Sequence, residues 1–233
     1  GKYDKDGKPR AIPGHSIALA AIGMFILWFG WFGFNPGSTL SGNDLRMATI
    51  AVNTNMAAAA GAVVALLITK LKTGIWDIGM GINGALAGLV AITAPCAFVE
   101  GYAAIIIGAL GGAIVVASIY ILENMGVDDP VGAVSVHGVN GIWGLIAVGL
   151  FADGSYTAWP VTGLLYGGGT GQLIAQLIGA VTVFAWAFGT GYVVFKLMDL
   201  VAGIRISPEE ELAGLDVMEH GSSAYPNFLT VEE

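Results

Sequence analysis

The chain has 233 residues, of which 55% are hydrophobic and only 11% charged. A soluble domain carries about 25% charged residues, so this composition excludes an ordinary soluble fold and makes lipid the natural solvent. The formal charge of -8, with acidic residues crowded after Ser207, argues against nucleic acid as a partner.

Other chemistries are bounded by what is scarce. Cys96 is the single cysteine, so no intrachain disulfide forms, and His15, His137 and His220 lie far apart in sequence. A dedicated zinc site is not expected. No phosphate loop or nucleophile motif stands out, so neither a cofactor nor an enzymatic activity is expected. The 36 glycines are spread along the apolar runs rather than gathered in linkers, as in transmembrane helices whose backbones pack closely.

Taken in order, residues 1–13 read as a hydrophilic loop, and a start at Gly1 rather than Met reads as a piece of something longer. Six apolar stretches of bilayer-spanning length follow, over 14–35, 46–69, 76–96, 102–123, 131–151 and 171–203. The fold class is therefore all-α, a polytopic transmembrane helical bundle. Span 14–35 carries Trp31 and Phe34, with Ser38 beyond; at i, i+3 and i+7 a continuing helix puts them on one face. Asn35-Pro36-Gly37 should end or bend that helix, because the residue before proline avoids the α region. Aromatic faces and a hydroxyl suit a small cation, although an interfacial aromatic belt has the same composition.

The next two spans carry Asn53, Asn55 and Asn83, read as buried amides that bond between helices. Glu123, Asp128 and Asp129 read as loop and capping residues. Asp129 is expected to cap the fifth span, with Pro130 in its first turn. His137 then lies roughly 10 Å along that helix, inside the hydrocarbon layer, where an ionisable residue suggests a functional site. Gly141 and Gly144 fall on its face and leave space beside the ring. Two readings fit: a neutral imidazole that holds or passes a proton, or a histidine bonded to a neighbouring helix as structural glue. The last span, 171–203, exceeds the bilayer and is expected to tilt or project. In the tail, 204–233, Ser207 reads as a helix cap with Pro208 at the first position.

Positive charge fixes the expected orientation. With six spans, eight of the nine basic residues fall on one side: Lys2, Lys5, Lys8, Arg10, Lys70, Lys72, Lys196 and Arg205, with Arg46 alone opposite. Both ends should then be cytoplasmic.

These segments together resemble one family. Trp31-Phe32-Gly33-Phe34-Asn35-Pro36-Gly37-Ser38 resembles the WFGFNxGS segment of the ammonium transporter (Amt) family. Val52-Asn53-Thr54-Asn55-Met56-Ala57-Ala58-Ala59, Gly84 to Thr93, Asp128-Asp129-Pro130 and Val136-His137-Gly138-Val139-Asn140-Gly141 resemble further family stretches, in the family's order. Gly214-Leu215-Asp216-Val217, His220-Gly221 and Ala224-Tyr225 resemble its tail motif, with Ser222 where glutamate is usual.

The resemblance implies a plasma-membrane homotrimer of eleven-helix subunits. Ten helices form two inverted five-helix repeats, and this chain resembles the second repeat plus the eleventh helix and tail. It implies that Ser38 is a recruitment hydroxyl, Phe34 a gate, Trp31 a pore-lining residue and His137 one of two adjacent pore histidines, the other lying in the first repeat. Ammonium would be recruited at the aromatic site and deprotonated, so that ammonia passes His137. Asp216, His220 and Tyr225 are implied as regulatory tail residues, and a PII-type protein as a partner at the cytoplasmic face. The alternatives are an ammonium sensor on the same fold or a Rhesus-like gas channel; a membrane enzyme using His137 lacks a second catalytic group in these spans.

Overall fold

The computed structural model describes residues 14–156 and 159–224. Its regular structure is helical, and several helices begin or end on a local signal. Helix α1 covers Ile17–Phe34, and the Ser16 hydroxyl accepts from Leu19 N at 3.4 Å at its start. Helix α2, Arg46–Thr73, starts where the Asp44 carboxylate accepts from Arg46 N at 2.8 Å. It stops at Gly74, whose φ of +76° returns its N–H to the Lys70 carbonyl, a left-handed termination that glycine makes without a steric cost. Helix α3, Ile78–Thr93, is capped by Asp77, which accepts from Met80 N at 3.0 Å. Helix α4 is Gly101–Asn124, helix α5 is Asn140–Phe151, and helix α6 is Gly171–Ala202. A π-helical segment, Val134–Val139, leads into α5.

Five helical segments of the described residues are long and apolar enough to cross a membrane. The remaining expected span is shorter than read: α3 has 16 residues, about 24 Å at 1.5 Å per residue. Trp76 precedes its cap, and the turn containing Pro95 follows it, so an apolar run of 76–96 overstates the helix. By the same rise the 32 residues of α6 reach about 48 Å, more than a hydrocarbon layer of about 30 Å.

The chain divides into two compact units, residues 2–182 and 183–233. In the first, α2, α3, α4 and α5 enclose the core. One cluster joins Ile50, Ile92, Val99 and Ile107, with Trp143 against it; a second joins Ala65, Val115 and Val136. Small residues set the spacing. A Cβ at Gly88 or at Gly108 would overlap the Ala57 carbonyl, so α3 and α4 both approach the α2 backbone at one level. Dispersion contacts then replace the hydrophobic driving force that lipid does not supply.

Polar groups in this core are bonded between elements. Asn53 is 1% exposed and donates to the Cys96 and Val99 carbonyls at 3.0 and 2.8 Å, holding the α3–α4 turn on α2 as expected of a buried amide. Asn55 differs: it is exposed, because it falls on the opposite face of α2 from Asn53. Asn83 is only half-buried, and lines a cavity of about 380 Å³ beside Asp77, Asp129 and Ser135.

In the second unit, α7 (Pro208–Ala213) and α8 (Leu215–His220) follow the end of α6. The expected start at Ser207 is present as a reciprocal box: Ser207 Oγ accepts from Glu210 N at 3.2 Å, and Glu210 accepts from Ser207 N at 2.8 Å. The bond from Ser207 N, with a smaller contribution from the Ser207 hydroxyl, favours the charged carboxylate and lowers the Glu210 pKa.

Candidate functional site

The site begins with the break after α1. Asn35 keeps right-handed helical angles, φ -73° and ψ -61°, although proline follows it. Its N–H still reaches the Trp31 carbonyl at 2.9 Å, and its side chain, 3% exposed, donates to Thr54 Oγ1 of α2 at 3.1 Å. This buried anchor overrides the usual pre-proline preference. The α-helix nevertheless ends where Asn35-Pro36-Gly37 was expected to end it: Phe34 is its last residue, and Pro36, which has no N–H to return, opens a 3₁₀ turn, Pro36–Thr39.

That change of helix type separates the expected aromatic face from its hydroxyl. Trp31, Phe34, Thr93, His137 and Gly141 line one cavity of about 590 Å³, mostly apolar in its walls. Ser38 is not on that wall. Its hydroxyl donates to the Phe34 carbonyl at 2.6 Å, and the residue is exposed one turn beyond Phe34. The two rings of α1 meet edge to face, with centroids 5.8 Å apart, a favourable quadrupole geometry. Trp31 is fixed further by its indole N–H, which donates to Thr93 Oγ1 of α3 at 2.9 Å.

His137 reaches the same cavity from the π-helical segment before α5. Its position along the helix differs from the expected one. Pro130 and Val131 form a turn and Gly132 has φ +72°. The N-cap is Ala133 rather than Asp129, whose two carboxylate oxygens reach across that turn to accept from Ala133 N and Val134 N at 2.8 and 2.9 Å. Counted from Ala133, His137 is about 6 Å into the helix. The ring is exposed on the open cavity rather than sealed in a helix contact. Gly141 sits on the cavity wall with open space beside it. Gly144 does not: a Cβ there would come within 2.8 Å of the Ala91 carbonyl, so Gly144 serves the packing of α5 on α3.

A polar clamp stands at the Arg46 end of α2. Arg46 donates through Nε and Nη2 to the Ala97 carbonyl and through Nη2 to Ser155 Oγ at 2.9 Å, and lies 5.3 Å from the Tyr156 ring centre. Tyr156 in turn donates to Asp44 at 3.2 Å. In the following segment the hydrogen bond to Tyr102 pushes the Tyr166 phenol up to about 12. Lys70 and Lys72 are at the opposite end of α2, where Lys72 Nζ lies 3.4 Å over the Tyr120 ring.

The tail residues are placed in part. Asp216 accepts from Ala224 N at 2.9 Å through its side chain, and its carbonyl accepts from Ser222 N at 3.3 Å. His220 is exposed at the end of α8. Tyr225 lies outside the described residues.

Sequence reasoning gave no role to Thr54, Thr93 and Asn140, which it named only within family stretches, and missed Ser118 and Ser135. A lone hydroxyl or amide in an apolar run does not disclose its partner; the one available signal was that each interrupts an otherwise apolar stretch.

Apolar helices of membrane-spanning length, packed on small residues beside an open aromatic- and histidine-lined cavity, are the features of a polytopic membrane protein. The chain belongs to the Ammonium Transporter Family, whose model matches residues 1–225. It is 59% identical to ammonium transporter Amt2 of Archaeoglobus fulgidus over 237 residues, covering 100% of this chain and 50% of that protein. It is 38% identical to ammonium transporter 3 of Dictyostelium discoideum, covering 97% and 54%. Among solved structures it is similar to a protein titled Sensor Amt Protein, with TM-score 0.83, 40% identity and coverage of 94% and 53%. It is also similar to Candida albicans Mep2, with TM-score 0.80, 33% identity and coverage of 88% and 46%. The chain thus spans about half the length of the relatives it matches. Its relatives are named as transporters, so the family is one of transport proteins rather than enzymes.

Proposed function

We propose that the protein to which this chain belongs conducts ammonium or ammonia across the plasma membrane as a homotrimer, through one pore per subunit, with the cavity of Trp31, Phe34 and His137 as one wall of that pore. The convergence of these three side chains, from two separate helical segments, on one apolar cavity supports the reading most strongly. Ammonium meets the exposed Ser38 hydroxyl and the ring faces first, which attract a cation while water still solvates it. Moving the bare ion further into an apolar passage is costly. The ion therefore gives up its proton near Phe34, and ammonia continues along the His137 ring, which donates and accepts one hydrogen bond. A second pore histidine belongs to the first half of the protein. With six spans both ends of this chain are cytoplasmic, which puts Ser38 on the outer side and the Asp216 tail inside.

The test is flux. Full-length protein in proteoliposomes, challenged with an ammonium gradient, should lose at least tenfold in rate when His137 becomes Ala. An unchanged rate removes His137 from the pathway.

A sensor reading is favoured by the structural similarity to the protein titled Sensor Amt Protein. Flux measured with and without a partner protein separates the two: a sensor binds ammonium yet conducts little under either condition. The capping box at Ser207 and the Asp216 turn give the tail a defined surface, which supports docking of a PII-type regulator on the cytoplasmic face. Truncation after Arg205 should abolish its capture; equal capture by both forms removes the tail from that contact.

A further inference from the structure

The helix that carries His137 is irregular at that residue. Val134–Val139 is π-helical, and α-helical bonding resumes at Asn140. A π segment closes each hydrogen-bonded ring five residues back instead of four, which changes the direction of the side chains within it. At the junction the backbone N–H of Asn140 turns to the His137 carbonyl, three residues back. The Ser135 carbonyl, five residues back, is taken by the Asn140 side chain, whose Nδ2 donates to it at 3.0 Å. The amide thus bonds at the spacing of a π-helical N–H.

Asn140 has no exposed surface. Its Oδ1 has no hydrogen-bond partner among the described residues; it faces Gly111 of α4, where a Cβ would come within 3.2 Å of it. Only the donor end of the amide is engaged, and what it engages is the π segment. Ser135 is held from its other side too, since Ser118 Oγ of α4 donates to Ser135 Oγ at 2.9 Å. Both ends of the stretch 135–140 are therefore anchored in the core, and His137 stands between them, exposed on the cavity.

We propose that Asn140 is a positioning residue for His137: its amide closes the π-to-α junction and so fixes the direction in which the imidazole faces the cavity. This rests on the pore reading of His137 for its consequence in transport, but not for its geometry. Asn140→Leu is the sharpest variant, because leucine has nearly the same shape and removes the unpartnered oxygen together with the donor. Asn140→Ala serves as the second variant.

Both are made in the full-length protein, alone and with His137→Ala. Three quantities are measured: ammonium flux in proteoliposomes, the melting temperature, and the rate of His137 carbethoxylation by diethyl pyrocarbonate, followed by peptide mass spectrometry with the exposed His220 as reference. The expected result is at least a threefold change in the His137 modification rate relative to His220, at a melting temperature close to that of the parent. Flux should fall at least fivefold in the parent background, with no further fall when His137 is already Ala. Equal falls in both backgrounds mark Asn140 as structural and overturn the proposal, as does failure of both variants to fold. An unchanged modification rate overturns it as well, whatever the flux. If His137→Ala alone leaves flux intact, the pore reading fails, and the modification rate by itself decides whether Asn140 orients the ring.

Discussion

The indole Nε1 of Trp31 donates to Thr93 Oγ1 at 2.9 Å, joining the aromatic face of α1 to the last residue of α3. The Thr93 hydroxyl has a second attachment: it donates to the Leu89 carbonyl at 2.7 Å. A continuous chain of bonds therefore runs from the cavity wall into the α3 backbone. It sets the angle at which Trp31, and through the edge-to-face contact Phe34, meet the cavity.

Thr93→Val keeps the shape of residue 93 and removes the acceptor. Both bonds of the hydroxyl are lost, so it should cost about 1–3 kcal/mol, at roughly 0.5–1.5 kcal/mol for each hydrogen bond, and leave the fold intact. Tryptophan fluorescence should change, and flux in the full-length protein should drop severalfold. A flux equal to that of the parent would mean that Trp31 needs no support from α3.

Phe34→Ala should act differently. Phe34 is 60% exposed, so its removal costs little more than the ring contact with Trp31, about 0.5–1.5 kcal/mol. Proteoliposomes should nevertheless show an altered ammonium flux and a lower discrimination against other monovalent cations. Wild-type flux and selectivity together would remove Phe34 from the gate.

Asn53→Leu tests the core rather than the cavity. Two buried carbonyls, of Cys96 and Val99, lose their donor, at about 1–3 kcal/mol for each group left unsatisfied. The melting temperature of the full-length protein in lipid should fall more than for any cavity variant above. The neighbouring Asn55→Leu, on an exposed face, should alter it far less within the same assay.

How much of this was legible depends on how local the cause was. Ser207 and Pro208 could be read as a helix start because the capping box spans four residues and needs no distant partner. The spans 46–69 and 171–203 could be read because length and hydropathy act over about twenty residues. The distance of His137 from its helix start was misread because the helix begins only at Ala133, after the left-handed Gly132, and a turn of that kind looks in sequence like the first turn of a helix. The π segment was invisible, since it covers only six positions and its residues carry no sequence signal that separates it from an α-helix. The end of α1 at Asn35-Pro36-Gly37 was legible, but the helical conformation of Asn35 was not, for a tertiary reason: its bond to Thr54 stabilises the geometry that proline disfavours. The amides divide in the same way, because Asn53 and Asn55 are two positions apart on one helix and only packing decides which faces inward.

The last prediction concerns the tail and its response to pH. The bond from Ala224 N lowers the Asp216 pKa below the ordinary aspartate range, with a smaller contribution from Val217 N. A carboxylate whose pKa is depressed in the folded tail contributes stability that is fully present above its unfolded value. That stability is lost as pH falls through the folded value. The turn that joins α8 to Ala224 should therefore be intact at neutral pH and should open only in acid, below the range in which a free aspartate titrates. Its contribution is modest, because the group is solvent-exposed and screened. Amide chemical shifts of the tail, followed in the full-length protein by selective alanine labelling, should move at Ala224 with an inflection in that acidic range. Asp216→Asn should abolish the inflection and leave the shifts of α7 unchanged, since the Ser207–Glu210 box does not depend on it. An Ala224 resonance that titrates in the Asn variant as it does in the parent would show that another group holds the turn.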